Sequence, residues 1–85
     1  MSDTGPNAAR RIVMTGRVQG VGYRPFVYRL AHEHALAGHV RNLRGDVEVI
    51  VAGAAATLDA FERELVTRAP PLAQPRVRAV VPCAA

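Results

Sequence analysis

The stretch GRVQGVGYRPF, residues 16–26, constrains this chain more than any other. It places three glycines within seven residues and follows them with an arginine and a proline. Before it, residues 11–15 (RIVMT) are apolar and β-branched, which is the composition of a strand. After it, Phe26, Val27, Leu30 and Ala31 make an apolar stripe at helical spacing. Pro25 suits the first turn of that helix, where its missing N–H costs nothing. The chain therefore has to pass from strand to helix across the glycine-dense loop of residues 16–22.

The rest of the chain extends this beginning. Gly38 fits the exit of the first helix, and residues 38–43 (GHVRNL) predict a second strand. Arg44-Gly45-Asp46 has the composition of a hairpin turn. Residues 47–52 (VEVIVA) alternate and are rich in valine, which predicts a third strand. Leu58, Phe61, Leu65 and Val66 mark a second helix, with Asp59, Glu62 and Glu64 toward its start and Arg68 near its end, an order that suits the helix dipole. Ala69-Pro70-Pro71 stops it, and residues 76–81 (RVRAVV) predict a fourth strand. The order β-α-β-β-α-β is that of split βαβ, ferredoxin-like α+β folds. An antiparallel sheet with two helices on one face is expected. Residues 1–9 are expected to be a disordered N-terminal lead and residues 10–85 a single domain.

Composition narrows the function classes. At 85 residues a domain buries only about 60–65% of its unfolded surface, so its core is modest. Hydrophobic content of 49% is that of a globular protein. No apolar run approaches the roughly 18 residues of a membrane span, and MSDTGPNAARR lacks the apolar core of a signal peptide. Cys83 is the one cysteine, so no internal disulfide forms. A cytoplasmic location, with no membrane partner, is expected. The net charge is +4, and all eleven basic residues are arginine. The absence of lysine removes Schiff-base chemistry and lysine-based phosphate loops, while the arginine fork suits phosphate and carboxylate. A small anionic substrate, a nucleic acid and plain solvated charge are all compatible with that balance. The aromatic residues are Tyr23, Phe26, Tyr28 and Phe61, and none lies on an expected strand, which argues against base stacking and a nucleic-acid partner.

The glycine loop has its own chemistry. Backbone N–H groups in such a turn can converge on an anion, and a helix start adds unpaired N–H groups and positive potential. Gly20 and Gly22 permit close approach, and Arg24 at the helix start can reach back over the loop. An arginine beside a helix's positive end is unfavourable unless an anion compensates it. GRVQGVG is neither a P-loop, lacking GK[ST], nor a dinucleotide fingerprint. Spacing alone leaves an anion site and a structural turn both open. His32 and His34 are two apart and share no helix face, so no metal or cofactor is expected. Arg76 and Arg78 share a strand face and have the character of solvated residues.

The segment from Gly16 to Arg24, GRVQGVGYR, closely resembles the acylphosphatase signature GxVQGVxFR, and Gly38-His39-Val40-Arg41-Asn42 matches in part a second signature, Gly-aromatic-Val-x-Asn. The resemblance spans nearly the whole chain. RPFVYRLA and APPLA are similar to one branch, the N-terminal acylphosphatase-like domain of the carbamoyltransferase that matures [NiFe] hydrogenases. The resemblance implies phosphate binding by the backbone of Gly16, Arg17, Val18, Gln19, Gly20 and Val21, phosphate-oxygen contacts from Arg24, and an attacking water positioned by Asn42. Gln19 also reads as a residue that fixes the loop through its amide. The implied reaction is hydrolysis of acyl phosphates, with carbamoyl phosphate as the branch's substrate, in a longer hydrogenase-maturation protein. A non-catalytic phosphate-binding or regulatory module is the alternative. Departures from the family pattern are Tyr23 for Phe, Met14 for an aliphatic, His39 for an aromatic, and Gly45 one place early in the hairpin. The family carries a further edge strand beside strand two, and the expectation is that it is missing here. That would leave strand two as an open edge able to pair with a second copy.

Overall fold

The structure, a computed structural model, describes residues 8–83. The elements are β1 (Ala8–Arg17), α1 (Tyr23–Glu33), β2 (Ala37–Leu43), β3 (Asp46–Gly53), α2 (Ala55–Thr67) and β4 (Gln74–Cys83). The four strands form one antiparallel sheet in the order β2-β3-β1-β4. This is the βαββαβ ferredoxin-like arrangement expected from the sequence. The boundary drawn at residue 10 falls inside β1, because Ala8 and Ala9 pair with Gly53 and Ala52. Alanine has little strand preference, and the pairing partners extend the strand here. Residues 1–7 of the expected lead lie outside the described residues.

Strand pairing sorts the side chains between two faces. Ile12, Met14, Val47, Val49 and Val51 point to the helices and are buried, and Val27, Leu30, Leu58, Phe61 and Leu65 meet them from α1 and α2. Each such side chain contributes about 1.5–3 kcal/mol by leaving water. Truncating one, for example Leu65→Ala, costs about 2–5 kcal/mol. The opposite face carries no helix. There Glu48 is only 3% exposed because Arg41 of β2 and Arg11 of β1 close over its carboxylate from both sides.

Two local expectations are corrected. Gly38 is not the exit of α1 but a residue of β2. A Cβ at Gly38 would collide with the Ile50 carbonyl and the Val51 Cα, so close strand contact accounts for this glycine. The helix instead ends at Glu33, and its closing left-handed residue is Ala35, which takes φ +54. Leu36 N–H donates to the Ala31 carbonyl at 2.9 Å and Ala35 N–H to the His32 carbonyl at 3.0 Å. This pair of bonds is the Schellman closure, formed here on alanine instead of glycine. The second correction concerns α2. It begins at Ala55, its first turn holds no acid, and Asp59 falls beyond the zone where the dipole acts strongly. The hairpin is a two-residue turn, with Arg44 at φ +49 and Gly45 at φ +91. Asp46 already belongs to β3, paired with Leu43. Two positive φ angles are those of a type I′ turn, whose twist matches that of the strands.

Candidate active site

β1 runs on through Gly16 and Arg17, which pair with Pro75 and Gln74 of β4. The connecting loop is therefore residues 18–22, shorter than the sequence suggested. Val18 is buried among the core residues and anchors the loop's first residue. Gly20 (φ +69) and Gly22 (φ +76) both hold left-handed backbone. Gly22 is the N-cap of α1, where a left-handed conformation suits glycine best.

The start of α1 is left open. No side chain caps it and its first turn holds no acid. The first bond of the helix runs from Phe26 N–H to the Gly22 carbonyl at 3.3 Å. Among the described residues, no N–H of residues 19–24 is committed to a turn or cap hydrogen bond. A hollow of about 230 Å³ opens at this point, lined by residues 18–20 and 22–25. Arg24 is exposed at its rim, and among the described residues it makes no ion pair. Residues with unbonded amides, the positive end of a helix and an arginine without an ion pair thus border one hollow. Such a set of donors binds a tetrahedral oxyanion.

Of the candidate phosphate-binding residues, Val18, Gln19, Gly20 and Arg24 line the hollow, whereas Gly16, Arg17 and Val21 do not. Gly16 and Arg17 are engaged in strand pairing, and Val21 packs against the core. Asn42 is exposed on β2 and lies outside the lining. Pairing places it in one row with Val47 and Met14, so its side chain rises from the helix-bearing face, the face on which α1 begins. Gln19 donates its amide Nε2–H to the Asp46 carbonyl at 3.0 Å, which ties the loop to the hairpin after Asn42.

Tyr23 has a role that its mild departure from phenylalanine did not suggest. It is buried, and its hydroxyl donates to the Leu65 carbonyl at 2.8 Å. Burial pushes its phenol pKa well above the usual value. The hydroxyl fastens the start of α1 to the last turn of α2, so the open amides sit on a fixed support. Gly22 and Tyr23 both lie within the matched signature. Nothing near residue 46 in the sequence marks the Asp46 contact.

Comparison with known proteins places this geometry in a family. The acylphosphatase family model matches residues 10–81. The chain belongs to the acylphosphatase family. It is 44% identical over 66 residues to an acylphosphatase of Acidiphilium cryptum, covering 76% of this chain and 71% of that protein. It is 53% identical over 64 residues to the carbamoyltransferase HypF2 of Cupriavidus necator, covering 75% of this chain and 8% of that protein. The chain thus spans less than a tenth of the carbamoyltransferases it matches. Among solved structures, it superimposes on acylphosphatase from Bacillus subtilis with a TM-score of 0.76 at 34% identity, covering 89% of this chain and 82% of that one. The corresponding values for the HypF of T. kodakarensis are a TM-score of 0.82 and 42% identity, covering 92% of this chain and 10% of that one. Family membership supports an enzyme that hydrolyses acyl phosphates.

Proposed function

We propose that this domain hydrolyses acyl phosphates by holding the phosphoryl group at the start of α1, and that carbamoyl phosphate is its favoured substrate. The observation that carries the reading is the open helix start, whose free amides and uncommitted Arg24 share one hollow. Water attacks phosphorus, the P–O bond to the acyl carboxylate breaks, and the acyl oxygen leaves with the bond's electron pair. A carboxylate or carbamate leaves without protonation, so no strong general acid is required. The water's proton passes to the phosphate formed or to solvent. Phosphoryl transfer of this kind depends mainly on positioning and charge stabilisation. The loop amides and Arg24 supply donors for the equatorial oxygens. Asn42 orients the water through its amide.

The relationship to the carbamoyltransferases favours carbamoyl phosphate, and with it a place in [NiFe]-hydrogenase maturation as one domain of a longer protein. A second reading, a phosphate-binding module without turnover, is favoured by one observation: Asn42 does not line the hollow. Steady-state hydrolysis of acetyl phosphate and carbamoyl phosphate separates the two. Turnover of either that is lost in Arg24→Gln supports the enzyme. Phosphate binding with no turnover supports the module, and an Arg24→Gln variant as fast as the parent refutes the site.

A further inference from the structure

We propose that Asp46 is the positioning residue of the site, locking the phosphate loop and the Asn42 hairpin into one arrangement through a clamp completed by Arg78 of β4. The proposal rests on the acyl-phosphate reading above. Asp46 opens β3 directly after the hairpin turn, four residues beyond Asn42. Its main-chain carbonyl accepts the Gln19 amide at 3.0 Å. Its carboxylate, mostly buried, accepts from the Arg78 guanidinium at 2.6 Å. Thr15 of β1 stands at the next step of the β1–β3 register beyond Met14–Val47, beside Asp46. Asp46 thus ties the loop and β4 to the start of β3.

The arrangement of β4 supports this assignment. In the pairing of β1 with β4, Val13 faces Ala79 and the next residue, Met14, faces Val77. Arg78 is the unpaired residue of a β-bulge. Bulges bend a strand and re-aim a side chain. Here the re-aimed arginine reaches across β1 to Asp46 on β3. The pairing also answers an electrostatic need. A free carboxylate beside a phosphate loop would repel the substrate, and the Arg78 charge cancels it. Hydrolysis needs the phosphorus and the water in line, and the loop holds the first while the hairpin holds the second. A displacement of about 1 Å between reacting groups costs up to 100-fold in rate.

The test measures kcat on acetyl phosphate, inhibition by inorganic phosphate, thermal melting and NMR backbone order parameters of residues 19–22. It compares Arg78→Ala, Arg78→Lys and Asp46→Asn with the parent. Arg78 is exposed, so its variants are expected to fold. Arg78→Ala is expected to lower kcat about tenfold, with phosphate inhibition within about threefold of the parent. Backbone order parameters at the loop should fall from about 0.85 toward about 0.6 or below. Arg78→Lys should recover most of the loss, and Asp46→Asn should resemble Arg78→Ala. A merely structural clamp would lower kcat and phosphate affinity together, in step with melting, and that outcome overturns the proposal. So does unchanged kcat in Arg78→Ala, with or without a more mobile loop. If the parent hydrolyses nothing, the enzyme reading fails, and the loop order parameters alone decide whether the clamp exists.

Discussion

The two helices of this protein begin alike and differ in what surrounds the beginning. Neither has a side-chain cap, and neither has an acid in its first turn. The start of α2 follows β3 almost at once, with Ala54 in extended backbone as its N-cap and two further alanines behind it. The start of α1 follows a five-residue loop with two left-handed glycines, and Arg24 is its second residue. An uncapped helix start is therefore not enough to make an anion site. What separates α1 from α2 is a loop with two left-handed glycines that borders a hollow, and an arginine without an ion pair on the same lining. At α2 the missing cap is simply a small loss of stability.

Five substitutions test that contrast. The largest effect is expected for Arg24→Gln, which keeps the helix and the amides but removes the charge. Turnover of acetyl phosphate should fall by about 100-fold or more, and phosphate binding, read by calorimetry, should weaken sharply. Retention of full binding would make the amides sufficient and the arginine incidental. Asn42→Ala is expected to lower kcat by about 10- to 100-fold while phosphate inhibition stays near that of the parent. A parallel fall in both would place Asn42 in binding and not in water positioning. Converting the start of α1 toward an ordinary capped start, Gly22→Asp, introduces a carboxylate where the anion would sit. Phosphate affinity should drop by about tenfold or more, whereas the mirror change Ala54→Asp at α2 should leave affinity unchanged and raise stability by about 1 kcal/mol. The smallest effect belongs to the other end of α1. Ala35→Gly relieves left-handed strain and should raise the unfolding free energy by about 0.5–1 kcal/mol with activity unchanged. Denaturant melts of that variant and the parent decide the point.

The element order was legible because short valine-rich runs and helix-spaced apolar residues alternate along the chain. The hairpin was legible from Arg44-Gly45 between two strand-like runs. What escaped was set by contacts distant in sequence. The first strand runs past its β-branched core in both directions because β3 and β4 offer partners to Ala8, Ala9, Gly16 and Arg17. Gly38 looked like a helix exit because glycine usually serves there, yet closeness to Ile50 decided its place and Ala35 closed the helix instead. In the candidate site, the glycine loop and Arg24 stood out through the signature they resemble, since spacing alone left an anion site and a plain turn both open. The bonds that hold them do not, because Gln19 and Asp46 are 27 residues apart and Arg78 and Asp46 are 32 apart. No local pattern encodes such pairs.

Glu48 has a consequence for behaviour in acid. Hydrogen bonds from Arg41, then from Arg11, hold its carboxyl below the usual carboxylate range. Its folded pKa is therefore lower than that of the unfolded chain, about 4.3 for glutamate. Its stabilising contribution is complete above that value and is lost as pH falls through the lower, folded one. Once Glu48 takes up a proton, Arg11 on β1 and Arg41 on β2 flank a neutral carboxyl with no negative charge between them, and the strand bearing Asn42 is the one at the edge of the sheet. Acidification is thus predicted to loosen the strand that bears Asn42 before the glycine loop, so that turnover declines at a higher pH than phosphate binding does. Glu48→Gln, which cannot titrate, should bring the two profiles together, and coincident profiles in the parent would show that the sheet edge withstands the loss of this charge.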